Sequence, residues 1–202
     1  MAGGHGDDTY IIDNRHDTVT EAAGRAGGID LVKSSVSYAL GARVENLALT
    51  GSKALAGTGN GLANHIHGNA GANHLSGGGG ADILDGGSGR DVLTGGAGND
   101  SFLFDSRFAA ANVDSVTDFT SGSDHIELDR SLFTALGKAA HLAASAFSDD
   151  GIAHTTAEHI LYNPDNGVLT YDSNGKAAGG AHHFATLDTG LHLSAADFLV
   201  VA

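Results

Sequence analysis

GNGLANHIH, GNAGANHLS, GGGGADILD, GGSGRDVLT and GGAGNDSFL follow one another without insertion from Gly59 to Leu103, and this stretch decides the fold. Its sixth place holds Asn64, Asn73, Asp82, Asp91 and Asp100, and its eighth holds Ile66, Leu75, Leu84, Leu93 and Phe102. Glycines at the first, second and fourth places let a six-residue turn take left-handed backbone angles. The apolar residue between two variable ones then makes a three-residue strand with one side chain inward and two outward. Each block is one turn plus one short strand, and two blocks complete a coil, so residues eighteen apart stack at roughly 4.8 Å.

That stacking sets Asp82 against Asp100 and Asn73 against Asp91. Carboxylates held this close repel one another unless a cation lies between them. Main-chain carbonyls from two neighbouring turns accompany each pair, and the expected ligands are the side chains of Asn64, Asn73, Asp82, Asp91 and Asp100 with the turn residues Gly77, Gly79, Gly86, Ser88, Gly95 and Ala97. An all-oxygen cage of six or more ligands suits Ca²⁺ and fits octahedral Mg²⁺ poorly. Zinc would want nitrogen or sulfur, and the chain has no cysteine. Other glycine loops fail on detail: Gly51-Ser52-Lys53 does not supply a P-loop, and a dinucleotide fingerprint does not recur every nine residues.

The blocks resemble the nonapeptide G-G-x-G-x-D-x-U-x of the RTX (repeats-in-toxin) family, a Ca²⁺-binding parallel β-helix repeat. Gly77 to Leu103 fits it fully, the two earlier blocks carry Asn for Asp, and GGHGDDTYI at 3–11 is a further match with Asp8 in the sixth place. The resemblance implies an all-β fold, a right-handed parallel β-roll with calcium in its turns, capped by a mixed β region with short helices. The expected division is a β-roll over 1–105 and a capping, secretion-signal region over 106–202.

Either side of the blocks the pattern loosens. IDNRHDTVT at 12–20 and RAGGIDLVK at 25–33 keep the spacing but lose most glycines, with Asp17 and Asp30 in the sixth place. Asp30 either joins a calcium site with Asp8 or Asp17 or caps a turn. Alternation of Val36, Tyr38 and Leu40, then Val44, Leu47 and Leu49, argues for longer strands. Segment 115–129 resembles the closing part of secreted RTX rolls, where Asp118, Gly122 and Asp124 would form a last calcium turn. SLFTALG at 131–137 predicts a short helix ended by Gly137, 159–175 a β-hairpin turning at Asn163 to Gly167, and HLAASAF at 141–147 with HLSAADF at 192–198 two similar helical turns. His65 and His67 point outward from one sheet and His74 belongs to the other, so they do not converge on zinc; His67 is expected beside Asp85 as a surface pair of little energetic worth.

The 202 residues carry 24 acidic against 10 basic side chains, a formal net charge of −14. This argues against nucleic acid or anionic membrane as a partner, and predicts a metal-free chain that repels itself and folds when cations neutralise it. No apolar run reaches membrane-spanning length and no signal peptide opens the chain. Met1 followed at once by a repeat reads as a start placed on a fragment of a longer protein. There is no G-x-S-x-G elbow, no H-E-x-x-H and no cysteine nucleophile, so no enzyme is expected. The tail after Lys176, without Lys or Arg and ending DFLVVA, is similar in composition to RTX signals read by a type I exporter. The function this implies is a calcium-binding module of a protein secreted from a Gram-negative bacterium, folding after type I export and stabilising its C-terminus. The alternatives are a carbohydrate-binding accessory module similar to those of alginate epimerases, with an extracellular polysaccharide as partner, and an adhesin or surface-layer spacer.

Overall fold

Eighteen residues make one coil: His65 lies opposite Ile83 and Ile83 opposite Ser101 in one sheet, and Leu75 lies opposite Leu93 in the other. A computed structural model describes residues 1–21 and 28–202. One sheet has eight strands in the order Thr9–Ile12, Leu31–Ser34, Asn46–Leu49, His65–His67, Ile83–Asp85, Ser101–Phe104, His125–Asp129 and Phe198–Val201, all parallel. The other has nine: Tyr38–Ala39, Ala56–Thr58, His74–Gly79, Val92–Ala97, Asp114–Val116 and Ala181–Thr186 run parallel, and Val168–Asp172, Ile160–Asn163 and Phe147–Ser148 extend it. The chain alternates between the sheets through the glycine turns. It is a parallel β-solenoid, with helix confined to three short 3₁₀ turns among the described residues.

One inward side chain per strand builds the core. Val32, Leu47, Ile66, Leu84, Phe102, Ile126 and Phe198 form a buried ladder down one sheet, facing Leu75, Leu93 and Val116 of the other. Burying a Leu or Ile in this way stabilises by about 1.5–3 kcal/mol each, so the eighth place of the repeat carries the apolar energy. Beyond the nonapeptide blocks, Phe104, Phe108, Phe133, Tyr171 and Phe184 form an edge-to-face and stacked cluster.

The hairpin at 159–175 forms as expected, with Ile160–Asn163 antiparallel to Val168–Asp172. SLFTALG contains the 3₁₀ turn Thr134–Leu136 ended by Gly137 at φ 76°. The two echoed segments hold the matching turns Ala144–Ala146 and Ala195–Asp197, the second closed by a capping box from Ser194. The alternation at 36–49 does not give long strands: Tyr38–Ala39 has two residues and Asn46–Leu49 four. A turn through Arg43, at φ 72°, breaks that run, because the width of the coil limits strand length before the apolar pattern does. Residues 25–27 of the loose block at 25–33 lie outside the described residues.

Candidate metal centre

The glycines of the turns divide into two roles. Gly78 and Gly80, at the second and fourth places, have φ of 103° and 112°, which the absence of a side chain permits. Gly77 at the first place does not. There a Cβ would lie 2.2 Å from Asp82 Oδ2 and 2.6 Å from the carbonyl oxygen of Gly95, so it is glycine because a carboxylate and a carbonyl converge on it. At Gly86 and Gly95 the carboxylate alone fills that space, a Cβ there standing 2.5 and 2.4 Å from Asp91 Oδ2 and Asp100 Oδ2.

The sixth-place carboxylates are buried, Asp82 and Asp100 at 1 % exposure and Asp91 at 0 %. In each, Oδ1 accepts the backbone N–H of the sixth-place residue one coil before: Asn64 to Asp82 at 2.7 Å, Asn73 to Asp91 at 2.7 Å, Asp82 to Asp100 at 2.9 Å. This bond spends one oxygen on the stack. Oδ2 of Asp82 and of Asp91 is buried with no hydrogen-bond partner. Burial pushes both carboxyls up to about 6, against the opposing pull of the N–H bonds, and raises Asp100 for the same reason. A dry, unpartnered carboxylate oxygen beside a carbonyl is a donor set for a hard cation, and calcium's oxygen preference fits it.

The ladder continues beyond the nonapeptide blocks. Asp91 N–H donates to Asp114 Oδ1 at 2.9 Å, and Asp100 N–H to Asp124 Oδ1 at 3.0 Å. Asp114 is the member that sequence reading missed; it is 4 % exposed, and burial pushes it up to about 7. Its signal was present as Asp114-Ser115-Val116, an Asp-x-apolar triplet in which Val116 lies opposite Leu93. Asp118 takes a different place from Asp124: its two oxygens accept the N–H groups of Gly95 and Gly96. The N–H of Gly122 donates to Asp197 Oδ1, so that turn is tied to the C-terminal tail.

Of the remaining expected ligands, Gly77 O and Gly86 O pack against Gly59 and Gly68 one coil before. Gly79 N–H donates to Asn60 O, Ala97 O accepts the N–H of Gly80, and Ser88 is exposed on its turn. Asn64 and Asn73 use their side-chain oxygens on the N–H groups of Asn60 and Asn69 in their own turns. Asp17 sits in a local turn with Asn14, whereas Asp8 N–H donates to Asp30 Oδ1 at 2.9 Å. The structure therefore brings Asp30 to Asp8 and not to Asp17. His67 is hydrogen-bonded to Asp85 as expected; the imidazole lies half exposed at the surface while Asp85 is buried at 3 % exposure, and the hydrogen bond raises the imidazole pKa.

The fold and its turns define a parallel β-solenoid whose coils are stacked on pairs of buried carboxylates and backbone carbonyls. Residues 58–93 and 84–106 match the RTX calcium-binding nonapeptide repeat, and the chain carries RTX repeats over this stretch. Sixty-eight residues, 34 % of this chain, are 43 % identical to the endo-1,3-1,4-beta-glycanase ExsH of Rhizobium meliloti (strain 1021), and they span 14 % of that protein. The solution structure of the AlgE6R3 subunit from the Azotobacter vinelandii mannuronan C5-epimerase overlays with a TM-score of 0.48 at 28 % identity, over 81 % of this chain and 82 % of that one.

Proposed function

We propose that this chain is a non-catalytic, calcium-gated folding module that accompanies a larger protein secreted by a type I exporter. The observation that carries the reading is the buried, unpartnered Oδ2 of Asp82 and of Asp91, that of Asp82 held where the next coil presents the Gly95 carbonyl. Without a cation these oxygens, and a net charge of −14, oppose the coiled state. With calcium, each site stabilises the fold by RT ln(1+[L]/Kd), and sites sharing a coil fill together. Extracellular modules of this chemistry work at Kd of roughly 10⁻⁴ to 10⁻³ M, so the carboxylate coils would stay unfolded for passage through an exporter in the low-calcium cytosol and fold outside. Under this reading residues 1–105 bind the ions, and 106–202 close the open end of the stack and carry the export signal.

A second reading, a polysaccharide-binding accessory module, is favoured by a groove of about 690 Å³ where the roll meets the C-terminal strands, lined by Arg90, Asp114, Ser115, His182, His183 and Thr186. The shared stretch with a β-glycanase agrees with such a setting.

Far-UV circular dichroism of chelated protein, titrated with Ca²⁺ and with Mg²⁺ as control, tests the first reading. A cooperative rise in β-structure near millimolar Ca²⁺ is expected, with none in the Asp82→Ala/Asp91→Ala/Asp100→Ala variant. A spectrum already β-rich in chelator and indifferent to Ca²⁺ overturns it and leaves a static scaffold.

A further inference from the structure

Where its strands run parallel, the nine-stranded sheet presents an outer face without charge. The outward side chains stand in two rows, one residue from each strand in turn. One row runs Ala56, His74, Val92, Ser115 and Thr186, and the other Ala39, Thr58, Ser76, Thr94 and Thr117. All of them are exposed or half-buried, and none is Asp, Glu, Lys or Arg, in a chain with 24 acidic and 10 basic residues. Most are Ser or Thr, and the hydroxyls of Thr94 and Thr117 are hydrogen-bonded to each other at 2.8 Å. The eight-stranded sheet differs: one outward row there carries Lys33, Asp85 and Glu127. The first uncharged row leads into the groove at the C-terminal strands, because Val92, Ser115 and Thr186 belong to its lining. Arg90, the one Lys or Arg of that lining, donates to the Ala110 carbonyl and shares the groove with Asp91 and Asp114. The stacked rings of His182 and Phe108, 4.9 Å apart, line it as well.

We propose that this face and the groove together bind a neutral, unbranched polysaccharide that runs across the strands along the axis of the stack. The inference rests on the polysaccharide-binding reading of the groove and adds the class of the ligand and its path over the sheet. Neighbouring strands lie roughly 4.8 Å apart, and an extended pyranose chain advances by about one such spacing per ring, so successive strands meet successive rings in the same way. Hydroxyls and a neutral imidazole each donate and accept, which matches a polyol whose own groups do both. An acidic glycan would bring its carboxylates, stripped of water, against a face that offers no cation, and the net charge of −14 would repel it from a distance. A neutral chain meets neither penalty.

The test is isothermal titration calorimetry of the full chain in millimolar Ca²⁺, with cellohexaose as the neutral probe and a β-1,4-linked mannuronate hexamer as the acidic one. Cellohexaose should bind at least tenfold more tightly than the uronate. A carboxylate placed on the face, by Ser76→Asp or Thr58→Asp, should weaken cellohexaose binding at least tenfold, whereas Ala48→Asp, outward on the other sheet beside His67, should leave it unchanged. Circular dichroism in Ca²⁺ shows whether each variant keeps the fold. Thr58→Val with Ser76→Ala, which removes two hydroxyls and adds no charge, should also weaken binding and decides the matter if the Asp variants do not fold. Uronate binding equal to or tighter than that of cellohexaose overturns the neutral class and leaves the groove reading standing. Cellohexaose binding that no change on the face alters confines the ligand to the groove and overturns the path over the sheet. Binding of neither hexamer overturns both the inference and the reading beneath it.

Discussion

The turns at Asn60–Asn73 and those at Asp82–Asp100 share a backbone and an eighteen-residue register, yet they are closed by different means. In the first, side-chain amides do the joining. Asn64 Nδ2 donates to the carbonyls of Val44 and Glu45, both at 3.1 Å, Asn60 Nδ2 to those of Gly41 and Val44, and Asn69 Nδ2 to those of Thr50 and Lys53. In the second, a carboxylate replaces the amide, and its Oδ2, at Asp82 and Asp91, has no donor. An amide nitrogen carries its own protons to the carbonyls of the coil before, so these turns are complete in the chain itself. A carboxylate offers only acceptors, so its turn stays incomplete until an ion supplies the positive charge. Two places per turn, the second with Asn60 and Asn69 against Gly78 and Gly87 and the sixth with an amide against a carboxylate, separate a coil closed by the chain from a conditional one.

Exchanging the residues breaks the comparison most severely. Asn64→Asp with Asn73→Asp should destabilise the metal-free protein by about 3 kcal/mol at each position, the upper end of the cost of buried polar groups left without partners. Urea unfolding in chelator reads this loss, and added Ca²⁺ should restore most of it. The reverse exchange, Asp82→Asn with Asp91→Asn, should raise metal-free stability by about 1 kcal/mol per position, a typical net hydrogen bond, and flatten the calcium dependence.

Acid gives a smaller effect confined to the carboxylate coils. Asp82 and Asp91 are pushed up to about 6 and Asp114 to about 7 in the fold, against about 3.9 for an unfolded Asp. A raised carboxyl pKa means that the folded metal-free state binds protons that the unfolded chain does not. Stability of that state should therefore rise as pH falls through 7 and 6, with the gain complete below about 3.9. The thermal midpoint in chelator should be higher at pH 5 than at pH 7.5. Calcium affinity should fall over the same range, because each ion must displace these protons.

The nonapeptide made the register legible before any coordinates: the eighteen-residue step, the ladder through Ile66, Leu84 and Phe102, the placing of His65 and His67 on the sheet opposite His74, and the pairing of His67 with Asp85 all follow from it. Asp114 escaped because the segment after Phe104 lengthens the step, so that Asp114 receives its bond from a residue 23 positions back. Burial of Asp85 was not readable from an outward position in the repeat, because the residues from Leu103 to Asp114 fold over it and line one small cavity with it. Local pattern gives register where steps are equal; contacts made across unequal steps need the fold.

Backbone hydrogen–deuterium exchange, measured residue by residue in chelator and in millimolar Ca²⁺, tests the contrast between the two kinds of turn most directly. The amide-closed coils, from Tyr38 to Ser76, should be protected in chelator, while strands Ile83–Asp85, Val92–Ala97 and Ser101–Phe104 should exchange freely and become protected only with calcium. Equal protection of both regions in chelator, or a calcium-induced gain of the same size in both, would contradict it.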